Sequence, residues 1–434
     1  MCVIRLSGAQ SIEICDSIFR GRKPLCEAKT ATLHYGNIMD GEQVVDDVVV
    51  SIFRAPHSYT GEESVEISAH GSRYIVSRII SLLTAHGARL AEAGEFTRRA
   101  FLAGRLDLSQ AEAVADIIAS SSQAAHAIAT TQMRGAYSEE LRTLRDELIR
   151  ITSLLELELD FSEEDVEFAD RTELRALLEK ILGKVSSLTS SFALGNALKE
   201  GVIIAIAGRP NVGKSTLLNR LAGEDRAMVS DIAGTTRDTI EATTNIDGVI
   251  YRFIDTAGLH STDDRLEQMG IERTEQALRK ARIILWMQDY NDNESTLENY
   301  APTKDQTLLR VINKIDLRGE KTLGTEENSG IPTYYISAKS GEGVEQLIDA
   351  FKQTTNASAA YQGEVIVSSQ RHYDALMQSR SALESTLSAL DNGISSDLLS
   401  EDIRQVMHHL GTITGEITTT EILQSIFSRF CIGK

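Results

Sequence analysis

The chain has 434 residues, 42% of them hydrophobic, and its 44 Lys plus Arg stand against 63 Asp plus Glu, a formal charge of -19. That length exceeds what one hydrophobic core supports and implies two to four domains. The acidic balance excludes a protein that grips nucleic acid through an overall basic surface, so any such contact falls to a local patch or to a partner.

The start Met1-Cys2-Val3-Ile4-Arg5 has no signal-peptide layout, and no apolar run approaches the roughly 18 residues of a membrane span, so a cytoplasmic protein with no membrane role is expected. Cys2, Cys15, Cys26 and Cys431 show no C-x-x-C pairing, which argues against a zinc site or a disulfide framework. Up to about Arg105 the pattern is mixed α/β, with strands over Val44 to Phe53 and Ser64 to Ile67, bounded by turns at Asp40-Gly41 and Tyr59-Thr60-Gly61. From Ser109 it becomes helical: Ser109-Gln110-Ala111-Glu112 has capping-box spacing, and Leu141, Leu144, Leu148, Ile151 and Leu155 line one helical face. Such a face is plain core packing. Between Glu156 and Asp170 lies a dense acidic run without the spacing of a calcium loop, which is expected to be a solvated turn.

From Val202 strands alternate with loops and helices, with buried-strand runs at Val202 to Ala207, Tyr251 to Ile254, Ile283 to Trp286 and Leu308 to Ile312. This is the texture of a doubly wound parallel sheet. After about Tyr361 helical periodicity returns, with Leu376, Leu383, Leu387 and Leu390 on one predicted face. The helices before and after the sheet are expected to pack together, which makes the sheet domain an insertion into a helical one.

Gly208-Arg209-Pro210-Asn211-Val212-Gly213-Lys214-Ser215 matches G-x-x-x-x-G-K-[ST] after an apolar strand and before the helix start at Thr216. Its backbone can curl around phosphates with N–H groups inward, Lys214 can reach the β- and γ-phosphates, and Ser215 can hold Mg²⁺. Asp255-Thr256-Ala257-Gly258 ends a second strand, where a carboxylate can hold an Mg²⁺-bound water and Gly258 can offer its N–H to the γ-phosphate. Asn313-Lys314-Ile315-Asp316 ends a third strand, and its Asp can accept from the N1 and N2 donors of guanine, which adenine lacks there. Ser337-Ala338-Lys339 completes the base pocket. GTP with Mg²⁺ is therefore the expected ligand. Leu259 stands where small Ras-like GTPases place a water-orienting Gln, so hydrolysis needs another device, either a carboxylate within Asp263 to Glu272 or a cation from solution.

These motifs, with Gly234-Thr235-Thr236-Arg237-Asp238, the terminal Cys431-Ile432-Gly433-Lys434, and the Ser58 to Glu62 and Phe101 to Leu108 stretches, closely resemble the MnmE (TrmE) family of tRNA-modification GTPases over nearly the whole chain. The resemblance implies a multidomain α/β plus α protein. Its parts would be an N-terminal tetrahydrofolate-binding and dimerisation domain (1–105), a helical domain (106–198 and 362–434), and an inserted Ras-like G domain (199–361). It implies a homodimer that works with the flavoprotein MnmG in a heterotetramer, adding an aminomethyl-type group to C5 of the wobble uridine of certain tRNAs. A 5,10-methylene or 5-formyl tetrahydrofolate would supply the carbon unit.

By the same resemblance Asn211 is the side-chain ligand of a K⁺ ion, completed by Ser230 and Ile232 carbonyls and Thr235 within the nucleotide-embracing loop Ser230-Asp231-Ile232-Ala233-Gly234-Thr235. That charge would sit beside the transferred phosphate, as an arginine finger does. Thr236 would join Ser215 on Mg²⁺, and Glu267 would orient the attacking water through a bridging water, with Lys214 as the other catalytic group of hydrolysis. Arg5, Glu66, Arg105 and Lys434 would contact folate, and Cys431 would take part in the modification chemistry. Family members carry a further strand and a Gly-rich stretch before the equivalent of Val3, so either the start lies upstream or the first domain is shortened, which touches folate affinity and dimer stability. His260 stands where the family usually has Arg. The competing reading is a regulatory GTP switch that binds the ribosome or another assembly.

Overall fold

A computed structural model describes residues 1–160, 171–223, 242–255, 275–291, 301–317, 330–428, 430 and 433. It forms two units: Met1–Ile118 with Gln132–Asp146 and Met407–Lys434, and Ala119–Thr131 with Glu147–Val406.

In the first unit, strands β1 (Cys2–Ser7), β2 (Phe19–Gly21), β3 (Thr32–Asp40), β4 (Gln43–Phe53) and β5 (Ser64–Ala69) form an antiparallel sheet in the order β1-β5-β4-β3-β2. The alternation of β4 explains its placement: Val48, Val50 and Ile52 point to one face and are buried, while Val49 and Ser51 point to the other. Helices α1 (Ser11–Ile18) and α2 (Arg73–Ala85) cover the buried face, setting Ile12, Cys15, Ile79 and Leu82 against Ile38, Val50 and Ile67. On the opposite face Leu33 and Tyr35 are 71% and 70% exposed, and Val3 and Val49 are also open. Val3 pairs with Ser68, Ser68 with Val49 and Val49 with Tyr35, so one row of this open face runs across four strands.

Helices α3 (Glu95–Leu102) and α4 (Leu108–Ala119) follow. Leu108 and Ala111 share a core with Ile426, Phe427 and Phe430 at the chain's end. Gly94, with φ of 68°, precedes α3, and a Cβ there would lie 2.8 Å from the Phe427 carbonyl oxygen. Only glycine allows that approach at that φ.

Helices α5 (Gln123–Met133) and α6 (Ala136–Asp160) come next in the chain, and the expected stripe Leu141, Leu144, Leu148, Ile151 and Leu155 of α6 is buried throughout. Most of the acidic run, residues 161–170, lies outside the described residues. Among the described residues no His, Cys, Asp or Glu cluster suits a metal ion, and no helix is long and apolar enough to cross a membrane.

The second unit holds a six-stranded sheet in the order β11-β10-β9-β6-β8-β7, from β6 (Val202–Gly208), β7 (Ala242–Ile246), β8 (Val249–Asp255), β9 (Ile283–Asp289), β10 (Thr307–Asn313) and β11 (Thr333–Tyr335). All pairs are parallel except β7 with β8, so the doubly wound parallel sheet carries one antiparallel edge. Helices α8 (Lys214–Leu221) and α9 (Val344–Thr355) bury Leu217, Leu221, Leu347 and Phe351 against it. A short helix, α10 (Ser358–Tyr361), leads back from the sheet.

The sheet lies in sequence between α7 (Arg171–Glu200) and α11 (Gln370–Asp391), which pack together as expected for an insertion. Phe192 stacks on Tyr373 with ring centroids 4.4 Å apart, and the Val367 N–H donates to Ser191 Oγ at 3.0 Å. The buried face of α11 is wider than its leucines alone. Leu376 and Leu383 are buried, but Leu387 and Leu390 are only half-buried, and the stripe continues through Ser379, Thr386 and Ala389. Ser379 and Thr386 donate their hydroxyls to the carbonyls of Ala375 and Ala382, at 2.9 and 2.8 Å, so polar residues occupy the core without loss. The leucines therefore mark one side of a wider buried face. Helices α12 (Ser396–Thr414) and α13 (Thr420–Phe427) complete the chain.

Candidate functional site

The strands that carry the motifs run one residue or more past their apolar cores. Gly208, Asp255 and Asn313 are the last residues of β6, β8 and β10, so the parallel sheet gathers them at one edge. Ligands of open α/β sheets bind at this carboxyl edge.

After Gly208 the loop turns at Asn211, which is exposed with φ of 66°, and at Gly213. A Cβ on Gly213 would meet Asn313 Nδ2 at 2.2 Å, so glycine is required by the packing of the loop on the next motif. Lys214 opens α8 and is buried, its ammonium donating to the carbonyls of Gly208 and Arg209 at 2.6 and 2.8 Å. Val212 is buried beneath the loop, and Ser215 and Thr216 lie in the first turn of α8, where backbone N–H groups have no helical partner.

Asn313, only 2% exposed, joins two parts of this edge. Its Nδ2 donates to the Val212 carbonyl at 2.8 Å, and its Oδ1 accepts from the Ala338 N–H at 2.8 Å. Asp316 accepts from Ser337 Oγ at 2.6 Å, and Ser337 Oγ also accepts from the Ser340 N–H. Arg220 of α8 donates from Nε to the Ala338 carbonyl at 2.7 Å and from its other end to the Lys339 carbonyl. The motif residues Asn313, Lys314 and Asp316 are thus brought against Ser337, Ala338 and Lys339. Arg220 escapes a motif search because its contacts are to backbone carbonyls distant in sequence, and nothing in its local pattern marks it.

The Asp255 side chain, Thr256, Ala257, Gly258, Leu259, His260, Glu267, and the Ser230 to Thr236 loop, with Asp231, Ile232, Ala233, Gly234 and Thr235, lie outside the described residues.

The first unit holds a cavity of about 850 Å³ beside β1, with Leu6, Val76, Ile80 and Phe96 in its wall together with Arg5 and Gly433. Its volume falls in the range of small-molecule sites. The Arg5 guanidinium lies 5.1 Å from the Tyr59 ring centre and 5.6 Å from that of Phe96, and its Nε and Nη2 bond Glu66 Oε1 at 2.8 and 2.7 Å. Beside it Ser7 shares a 2.6 Å hydrogen bond with Thr60 and donates to Glu62 at 2.8 Å. Arg99 spans Glu62 and Glu95, and Arg89 also binds Glu95. The Arg89 hydrogen bond is the largest influence on Glu95, outweighing burial and holding its carboxyl down to about 2.

Of the residues expected at folate, Arg5 and Glu66 are paired, and the exposed Arg105 lays its stem against Gly61. Cys431 and Lys434 lie outside the described residues, but Gly433 between them lines the cavity. Sequence reading missed Tyr59 and Phe96, which only the fold brings to Arg5, and Glu95, which only the fold brings to the cavity wall.

Two family models match: GTP-binding protein TrmE N-terminus over residues 1–105 and MnmE helical domain over residues 108–431. The tRNA modification GTPase MnmE of Bacteroides fragilis is 49% identical over 450 aligned positions, covering 99% of this chain and 96% of that protein. Those of Cytophaga hutchinsonii and Flavobacterium johnsoniae are 48% and 46% identical, covering 100% of this chain and 94% and 96% of theirs.

Proposed function

Because the chain belongs to the MnmE family of tRNA modification GTPases, we propose that its GTP hydrolysis is stimulated by K⁺ and drives, with MnmG, a folate-dependent addition at C5 of the wobble uridine. The chain binds and hydrolyses GTP in the service of tRNA modification. The proposal concerns how.

At the sheet edge, Lys214 would leave its own loop carbonyls for the β- and γ-phosphates, while N–H groups of Asn211 to Thr216 cradle them. Asp316, with Asn313, Lys314, Ser337, Ala338 and Lys339, would hold guanine. Ser215 and Thr236 would hold Mg²⁺, with Asp255 and the Thr256-Ala257-Gly258 turn beside it. The exposed Asn211 at the crest of the loop suits an amide ligand for K⁺, with Ser230, Ile232 and Thr235 completing it. These cations would supply positive charge where negative charge develops in the transition state of phosphoryl transfer. Glu267 would orient the attacking water, which Leu259 cannot do.

In the first unit, the paired Arg5 and Glu66 offer a cation for folate carboxylates and an acceptor for the donors of a pterin ring, with Arg105 and Lys434 adding charge. Tetrahydrofolate would supply a one-carbon unit, and Cys431 would act beside it. The open apolar row of Val3, Val49 and Tyr35 suits the homodimer contact. Domain limits of 1–105, 106–198, 199–361 and 362–434, and a cytoplasmic location, belong to the same reading.

One observation favours this over a bare GTP switch: Gly433 of the terminal motif lines the cavity that holds Arg5, so the two ends of the chain meet in one chamber. Equilibrium binding of 5-formyltetrahydrofolate to the full chain tests it. The native protein should bind, and a form lacking residues 431–434 should lose affinity. Absence of binding by a native protein that still hydrolyses GTP would leave the switch reading in possession.

A further inference from the structure

The residue that follows Asn313 in the guanine motif has an unusual backbone. Lys314 is a non-glycine residue with φ of 69°, the left-handed region that L side chains avoid at a cost of about 1–2 kcal/mol. This turn carries the chain from the end of β10 into the short 3₁₀ segment Ile315–Leu317 that contains Asp316. The angle at Lys314 therefore sets where Asp316 stands relative to Asn313.

Its neighbour across the sheet holds it. Asp289 ends β9 directly beside Asn313 in the parallel register, and its Oδ2 lies 2.6 Å from Lys314 Nζ. The other carboxylate oxygen accepts from the Asn291 N–H at 3.0 Å, which fixes the Asp289 rotamer, and the Tyr290 N–H donates to the Asn313 carbonyl at 2.9 Å. Burial works against the Asp289 charge, but the Lys314 ammonium and the Asn291 N–H outweigh it and keep its carboxyl below the ordinary carboxylate range. The aspartate stays charged and the tether persists at neutral pH.

We infer that Asp289 is a positioning residue of the guanine site, which ties the left-handed Lys314 turn to the end of β9 and so keeps Asp316 facing the base. Nothing in Asp289 needs to touch the nucleotide. Without the tether the base loop relaxes, and guanine nucleotides leave faster, while the phosphate end, held by the loop of Asn211 to Ser215, is untouched.

The test is the release rate of fluorescent GDP together with turnover at saturating GTP, in the full chain. Asp289→Asn keeps the shape and removes the charge, and release should rise roughly tenfold, the worth of one charge-assisted hydrogen bond, while turnover at saturation stays within about twofold. In a Lys314→Met background Asp289→Asn should add nothing further. Release unchanged in Asp289→Asn, or an equal increment in the Lys314→Met background, overturns the inference. Should Asp289→Asn fail to fold, Lys314→Met alone must still release GDP faster, and an unchanged rate there overturns it equally.

Discussion

Asp316 and Glu95 are both carboxylates held by hydrogen bonds, but they answer to different physics. Asp316 accepts from Ser337 within the base loop, and its proposed partner is a pair of donors on guanine. Asp316→Asn should weaken GTP by more than about 100-fold and favour xanthosine triphosphate, whose carbonyl stands where guanine has its amino group, as read by competition binding. Unchanged GTP affinity would mean the base pocket is elsewhere. Glu95, 3% exposed, is bound by Arg89 and Arg99, and its carboxyl sits at about 2 against an ordinary 4.5. A lowered carboxylate stabilises the folded state fully above its unfolded value and loses that contribution as pH falls towards its folded one. Glu95→Gln should therefore cost about 2–3 kcal/mol at pH 7, and the difference from native should shrink between roughly pH 4.5 and 2, measured by denaturant unfolding. The motif residues were legible one by one because phosphate and guanine each demand a fixed short pattern. Arg220, Glu95 and Asp289 were not, since their contacts join residues that only the fold makes neighbours.

At the scale of elements, strand ends decide the nucleotide site and a helix end decides the cavity. Buried apolar runs located β6, β8, β9 and β10 in the sequence, because a parallel strand covered on both faces needs continuous hydrophobic residues. The short edge strands β7 and β11 left no such signal. The leucine count marked only part of the buried face of α11: back-bonded Ser379 and Thr386, three residues after Leu376 and Leu383, fill the same face and carry no apolar signal. Helix α13 reaches α3 only because Gly94 has no side chain. Gly94→Ala adds a left-handed alanine and a contact with the Phe427 backbone, which together should cost about 2–4 kcal/mol. Faster amide exchange across residues 420–428 should report it, and exchange equal to native would show that the contact is not needed to seat the helix.

On the scale of the whole molecule, the inserted sheet domain was readable from the change of texture at Val202 and Tyr361. That Gly433 and Arg5 line one cavity was foreshadowed only by the family resemblance, which put Arg5 and Lys434 at one folate site, because no local pattern links opposite ends of a chain. The net charge of -19 assigns most of the tRNA contact to a local patch or to a partner, and leaves the sheet domain to supply the free energy of GTP. How that energy is released turns on Leu259, which offers no water-orienting group, and on Asn211, whose exposed amide is the proposed cation ligand. The deciding measurement is GTP hydrolysis by the full chain in potassium and in sodium at matched ionic strength, for the native protein and Asn211→Ala. Potassium should accelerate the native enzyme strongly and the variant not at all, whereas equal native rates in the two salts would contradict the account.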